Sequence, residues 1–470
     1  MTSFDEVHYL RIRARALSSG LLLRLDEFVN DFPAGSPGQL IRITKLFLEK
    51  IEVELSKTAD KPLLMGHVRL VEWLANGLDW LDNAHSAQTP RGLVQFLEEI
   101  AETLYPGALL LVSPSSEYNY SIADLVPPYA ALAKQTLPSS SAATLVSSLP
   151  KALYLVRFPR IERENVLNHS IFGHEFGHPI ADEYIAQYEH EPAFAARLTE
   201  ATQKIQADPQ LNAALLSRSN PLEKSSLLSH FLDSVVKMHK RGLEELVSDA
   251  VGVHLFGPSA VFASLDIFGQ SSLDSAPMNP SLYPPSRYRL RLTHKLLQEG
   301  KYLDALAALP FPESLQQTKS SIAAILKYLD EVVSQNPDTA AIQSSPLARI
   351  AYEWLEETLP GALAHAQNRV LPLRYSAQVV GEEVVGLVER LALHVPPNET
   401  GTWPATKTVD WRSGLLASWV YALTHSLDSA LPMQECLQSL QTIQKLAIKG
   451  IEYAVLQKQY QKHLTASAKS

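Results

Sequence analysis

At 470 residues the chain exceeds what one hydrophobic core usually supports, so two or three domains or layers are expected. Its 46% apolar and 19% charged residues are ordinary for a packed globular protein; 41 basic against 50 acidic residues give a net charge of −9, and with no Lys/Arg stripe this argues against a nucleic-acid partner. The single cysteine, Cys436, excludes an intramolecular disulfide and any cysteine-rich metal site.

Residues 1 to about 105 read as helices. Leu40, Ile41, Ile43, Leu46, Phe47, Leu48, Ile51 and Val53 recur at helical spacing, as do Val68, Leu70, Val71, Leu74, Leu78 and Leu81, with Pro33, Gly35, Pro37 and Gly38 as punctuation. The start lacks the uninterrupted apolar stretch of a signal peptide, and the greasiest run, Ala108–Val112, is far too short to span a bilayer. A soluble cytoplasmic protein with no membrane partner is therefore expected. One cysteine fits a reducing compartment.

From Gly107 to Pro114 a short apolar run predicts a strand. Residues 135–150, rich in Ser, Ala and Thr, predict a linker or surface loop. Ala152–Pro159 is rich in β-formers and stopped by a proline, which predicts a second strand, read as an edge that could align an extended peptide by backbone pairing. A helix is expected from about Arg163. Residues 190–240 read as helical with a break near Asn220-Pro221, and a further helix runs from about Gly242 to Leu255, stopped by Gly257-Pro258. Ser271–Ser286 reads as a loop. The remainder reads as mostly helical, interrupted from Val395 to Thr408 by a loop that carries Pro396-Pro397 and Trp403-Pro404. The expected class is α+β, predominantly α-helical with a small sheet. The expected divisions are a mostly helical 1–134, a Ser-rich linker or loop at 135–150, a core at 151–300 and a helical 301–470.

Residues 172–179 read Phe-Gly-His-Glu-Phe-Gly-His-Pro and contain His-Glu-x-x-His at His174–His178. On a helix the two histidines share a face one turn apart, so both imidazoles can bind one Zn²⁺ at about 2.0–2.1 Å. Glu175 emerges about 100° round the helix, where it can act as general base toward a metal-bound water rather than as a ligand. Pro179 removes a backbone donor and crowds the carbonyl of Glu175, so the helix must kink or end there.

A catalytic zinc needs a third protein ligand. A metzincin would carry glycine and histidine where this chain has Ala181 and Tyr184, and Cys436 lies in a leucine-containing helical stretch that suits a packed thiol better than a ligand. Residues 244–252 read Glu-Glu-Leu-Val-Ser-Asp-Ala-Val-Gly, which places Glu245 and Asp249 at i and i+4 on one helix face. One carboxylate can bind the metal while the other accepts the free ring N–H of a ligand histidine. The competing reading is a solvated acidic face. Glu244 points elsewhere and is read as solvated, and His254, on the same helix, as packed rather than ligating.

The His-Glu-x-x-His helix followed by Glu-x-x-x-Asp on its own helix resembles the gluzincin zinc metallopeptidases. The resemblance implies Glu245 as ligand and Asp249 as the partner of His174. Leu-Tyr-Pro-Pro-Ser-Arg-Tyr-Arg-Leu at 282–290 resembles the segment after the glutamate ligand in M48-like gluzincins, with Tyr283 in place of their histidine and Arg289 at their arginine position. Covering about residues 150–295, the resemblance implies a Zn²⁺ cofactor, a peptide or protein substrate, amide hydrolysis with Glu175 as base, and kinship with soluble members. Tyr283 and Arg289 are candidate donors to a developing oxyanion; the alternative is that Pro284-Pro285 merely opens a helix bearing surface arginines. The helical flanks leave room for a protein partner. Two rivals stand beside this reading: an inactive module that retains the zinc site, and a helical interaction protein with an accidental motif.

Overall fold

The structure, a computed structural model, describes residues 5–32, 35–84, 89–268, 273–275, 282–401, 406–426 and 431–467. Of these residues 79% are helical and 5% lie in strands, which makes the protein predominantly α with small sheets. Pro33, Trp403, Pro404 and half of the expected 271–286 loop lie outside the described residues. Two compact units meet in sequence between Arg163 and Glu164, rather than at the divisions expected around 135–150 and 300.

The first unit begins with α1 (Glu6–Asp31), α2 (Gly35–Lys57), α3 (Lys61–Ala84) and α4 (Arg91–Leu104). Then follow β1 (Leu109–Ser115), β2 (Ser121–Asp124), α5 (Val126–Thr136), α6 (Ser139–Ser148) and β3 (Leu153–Pro159). The apolar stripes of α2 and α3 supply Leu40, Phe47, Ile51, Leu70 and Leu74 to a core that Leu111, Leu153 and Leu155 of the sheet close from below. Two expectations fail here. The Ser-rich stretch is helix α6, because burying Ala142 and Leu145 overrides its weak propensity. The predicted edge strand β3 is the middle strand: it runs parallel to β1 on one side and antiparallel to β2 on the other. Its near-continuous apolar text reflects burial on both faces, and its backbone groups are already paired, so no substrate can add to it.

The helix expected from about Arg163 does not form at the start of the second unit. Turns and a short 3₁₀ segment, Asn168–Ile171, lead instead into α7 (Phe172–Glu175) and α8 (Gly177–Glu189). Next come α9 (Pro192–Ala207), α10 (Pro209–Leu216), α11 (Pro221–Phe256) and α12 (Pro258–Phe268). The unit continues through α13 (Ser286–Glu299), α14 (Tyr302–Ala307), α15 (Gln316–Ser334), α16 (Pro337–Ser344), α17 (Pro346–Val370) and α18 (Ala377–Ala392). It closes with the paired two-residue strands β4 (Glu399–Thr400) and β5 (Lys407–Thr408), then α19 (Trp411–Ser426) and α20 (Met433–Ser467). Pro397 packs against Gly414 and Gly450, so the Val395 loop is seated on α19 and α20.

Helix α11 organises this unit. Asn220 caps its start by accepting from the Leu222 N–H at 2.9 Å, Pro221 sits in its first turn, and Gly257 ends it with φ +55°. Between these signals it runs 36 residues, so the expected Gly242–Leu255 helix is its C-terminal part. From Gly242 to Phe256 every residue but Glu244 is buried, with α7, α8, α12, α13 and α17 packed around it. A helix enclosed on all sides has to be apolar throughout, so acidic residues within this stretch require partners.

Candidate metal centre

Glycines bring the two motif helices together. The motif places Gly173 directly before His174 and Gly177 directly before His178, and both glycines face α11. A Cβ at Gly177 would lie 2.4 Å from the Ser248 Cα, and one at Gly173 would lie 2.9 Å from the Gly252 Cα and 2.7 Å from the Phe256 ring. Only bare backbone permits this approach, which carries the imidazoles to α11. Sequence reasoning passed over these glycines; the paired Gly-x-x-x-Gly and Ser-x-x-x-Gly spacings were the available signal.

Pro179 acts one turn earlier than its own position. The helix breaks at Phe176, between α7 and α8, because Pro179 has no N–H to offer the Glu175 carbonyl. Phe176 keeps helical angles, φ −64° and ψ −16°, so the helix axis continues and His178 stays on the face of His174. The ring centroids of His174 and His178 are 4.8 Å apart, with the planes at 89°.

Glu245 and Asp249 are 2% and 5% exposed, which rejects the solvated-face reading for both. One ligand atom from each of His174, His178 and Glu245 lies within 4.8 Å of the others. Zinc–ligand bonds of about 2.0–2.1 Å imply a tetrahedral edge of ~3.3 Å, so these donors reach one ion with shifts on the order of an ångström. His174 Nε2 and Glu245 Oε2 lie near that value, 3.5 Å apart.

Asp249 orients the first imidazole toward Glu245. Burial works to raise Asp249, but the Arg289 guanidinium and His174 outweigh it and hold this carboxyl well below the usual carboxylate range. Ionised Asp249 can only accept, so His174 Nδ1, 2.8 Å from Asp249 Oδ1, is the donor. His174 Nε2 thereby faces the Glu245 carboxylate.

Arg289 is committed elsewhere than expected. Its Nε donates to Asp249 Oδ2 at 2.8 Å, its Nη2 to Asp249 Oδ1 at 2.7 Å, and its Nη1 lies 3.0 Å from Glu245 Oε2. Burial opposes its charge, yet Asp249 and Glu245 raise it further above the usual guanidinium value. In this arrangement Arg289 braces two carboxylates rather than reaching toward an oxyanion. Tyr288, the residue before it, meets Tyr352 of α17 edge-on with centroids 5.4 Å apart, which anchors α13.

Tyr283 is 47% exposed, and its ring lies under the Arg241 guanidinium, 4.9 Å from the centroid. Burial of its hydroxyl and the Glu245 charge raise its pKa, so the phenol stays protonated. Glu244, read from sequence as solvated, turns inward instead. Its Oε1 lies 3.3 Å from His178 Nδ1, off-line for a full hydrogen bond, while Oε2 holds Arg241 Nη1 at 2.8 Å. Burial works to lower His178, but Glu244, Glu175 and Glu245 outweigh it and raise the imidazole. Burial pushes the Glu175 carboxyl up against the pull of His174 and His178. His254 is packed, as expected, and burial together with Arg374 pushes it down to about 4. Cys436 is half-buried in α20, its thiol toward the His425 carbonyl at 3.6 Å.

Comparison with models of known protein families, with curated proteins and with solved structures finds no match. Among the described residues no helix is long and apolar enough to cross a membrane.

Proposed function

We propose that this protein is a zinc-dependent metallohydrolase that cleaves amide bonds in peptides, with His174, His178 and Glu245 as the metal-holding residues and Glu175 as the base. The observation that carries the reading is the convergence of one ligand atom each from His174, His178 and Glu245 within 4.8 Å of one another, His174 Nε2 lying 3.5 Å from Glu245 Oε2. Two imidazoles and a carboxylate converging on one point form a donor set that suits Zn²⁺. When bound, the ion would polarise the scissile carbonyl and make a water molecule acidic near neutral pH.

The side chains supply the rest. Glu175, adjacent to His174 and with Oε2 3.9 Å from His178 Nε2, takes the proton of the attacking water and passes it to the leaving amine. Asp249 keeps His174 in the tautomer that presents Nε2, and Arg289 keeps both Asp249 and Glu245 in place. Glu244 steadies His178 from outside.

The test is metal analysis of the purified protein, followed by cleavage of a mixed peptide library by wild type, Glu175→Gln and chelator-treated protein. The expected result is one zinc per chain, cleavage by wild type alone, zinc retained in Glu175→Gln, and both zinc and cleavage lost in His178→Ala. Protein without stoichiometric metal, or equal cleavage by wild type and Glu175→Gln, defeats the proposal.

A further inference from the structure

Two guanidinium groups touch the candidate ligand Glu245, and they are placed for different tasks. The Arg289 side chain is 9% exposed and uses its Nε and Nη2 edge to grip Asp249. Arg241 stands one helical turn before Glu245 on α11, and its side chain is 35% exposed. It reaches inward through Nη1 alone, at 2.8 Å from Glu244 Oε2 and 3.5 Å from Glu245 Oε1. Among the described residues its Nε and Nη2 make no hydrogen bond, and the Tyr283 ring supports one face of its plane at 4.9 Å. The edge that binds a carboxylate on Arg289 is therefore open on Arg241.

A guanidinium that is held by its back edge, stacked on an aromatic ring and open along its Nε/Nη2 side is preorganised for a bidentate carboxylate. Burying a flexible, solvated cation at the same place would cost more on binding than this held one does. We propose that Arg241 selects substrates that carry a carboxylate beside the scissile bond, docking it on its open edge. The inference rests on the metallopeptidase reading and names the substrate class for it. Because Arg241 also touches the candidate ligand Glu245, the docked carboxylate lies close along the chain to the bond that is cut. An aspartate or glutamate side chain and a free C-terminus offer the same group.

The test compares three peptides of one core sequence: amide-capped and neutral, amide-capped with an aspartate beside the cleaved bond, and neutral with a free C-terminus next to it. Each is given to the zinc-loaded full-length protein as wild type, Arg241→Gln and Arg241→Lys. A charge-assisted bidentate contact predicts kcat/KM about tenfold or more higher for a carboxylate peptide than for the neutral one in wild type. Arg241→Gln brings that ratio to one, and Arg241→Lys restores part of it. Which of the two acidic peptides gains separates an internal acidic residue from a C-terminus as the source. If Arg241 only supported Glu245, its loss would slow all three peptides alike; an unchanged ratio therefore overturns the inference. A parallel equilibrium titration with acetyl-Gly-Asp-Gly-amide and acetyl-Gly-Asn-Gly-amide keeps the two readings distinct. Tighter binding of the aspartyl peptide that Arg241→Gln abolishes, without any cleavage, sinks the peptidase reading and keeps the carboxylate site. No preference for either carboxylate peptide in the cleavage arm, together with no discrimination in the titration, sinks the site itself.

Discussion

Arg289 holds Asp249 side-on, Nε to Oδ2 at 2.8 Å and Nη2 to Oδ1 at 2.7 Å, and neither side chain is more than 9% exposed. Removing one partner of such a pair leaves the other charged and buried, which costs far more than an exposed ion pair contributes. Arg289→Met is expected to lower stability by about 3–5 kcal/mol and metal affinity by about 10–100-fold, since the tautomer of His174 depends on an ionised Asp249. Arg289→Lys keeps the charge but loses the two-pronged grip, and is expected to recover only part of either. Denaturant melts and competition with a fluorescent chelator read the two effects; unaltered affinity in Arg289→Met would sever the proposed link from arginine to metal.

The glycine contacts make a sharper steric prediction. Gly177→Ala sets a methyl 2.4 Å from the Ser248 Cα, so α8 and α11 must separate. Overpacking of this kind costs about 1–3 kcal/mol, and here it also draws the imidazoles away from Glu245. Gly381, on α18, is an internal control: a Cβ there meets nothing within 4 Å, so Gly381→Ala is expected to stabilise by about 0.5–1 kcal/mol. Equal metal affinity in Gly177→Ala and wild type would show that helix spacing does not matter to the site.

Glu244 distinguishes the folded arrangement from the solvated face that its local context suggests. With Oε1 3.3 Å from His178 Nδ1, its neutralisation in Glu244→Gln is expected to weaken metal binding about tenfold, by leaving that imidazole less firmly held. A solvated glutamate would leave affinity unchanged in the same chelator competition.

The acid response of the second unit should report two histidines remote from ligation. His239 stacks on Trp354 with centroids 4.2 Å apart, and burial pushes it down to about 3. The unfolded chain therefore takes up a proton below pH ~6.5 that the folded chain refuses, and stability falls as pH falls from there toward 3. At pH 5 the loss is about 2 kcal/mol for this residue. His254, pushed down to about 4, has the same sign from pH ~6.5 toward 4. His239→Phe is expected to flatten the stability-versus-pH slope by about one proton in urea melts at pH 7, 6 and 5. An identical slope in the variant would show that His239 takes up its proton while folded.

Much of the site could be read before any contact was known, because its key spacings are local. His174 and His178 share a face through one helical turn, as do Glu245 and Asp249, and an apolar stretch around an acidic pair already hints at burial. Helix limits at Asn220-Pro221 and Gly257-Pro258 were legible for the same reason, since caps act within a few residues.

What failed was non-local. The text of β3 suits an edge or a centre equally, and only its two neighbours, β1 and β2, make it central. The stretch that became α6 reads as loop until Ala142 and Leu145 find a core to enter. The alignment of Arg289 with Asp249, the inward turn of Glu244 and the open edge of Arg241 depend on how α8 and α13 close around α11. The amino-acid order alone thus determined which residues could serve as donors and on which helical faces they stand, because one turn of backbone geometry decides that. Which donors converge, and which cation braces them rather than faces solvent, was decided only when glycine-thin surfaces let separate helices meet, since contact across the fold depends on shape that no short window of residues contains.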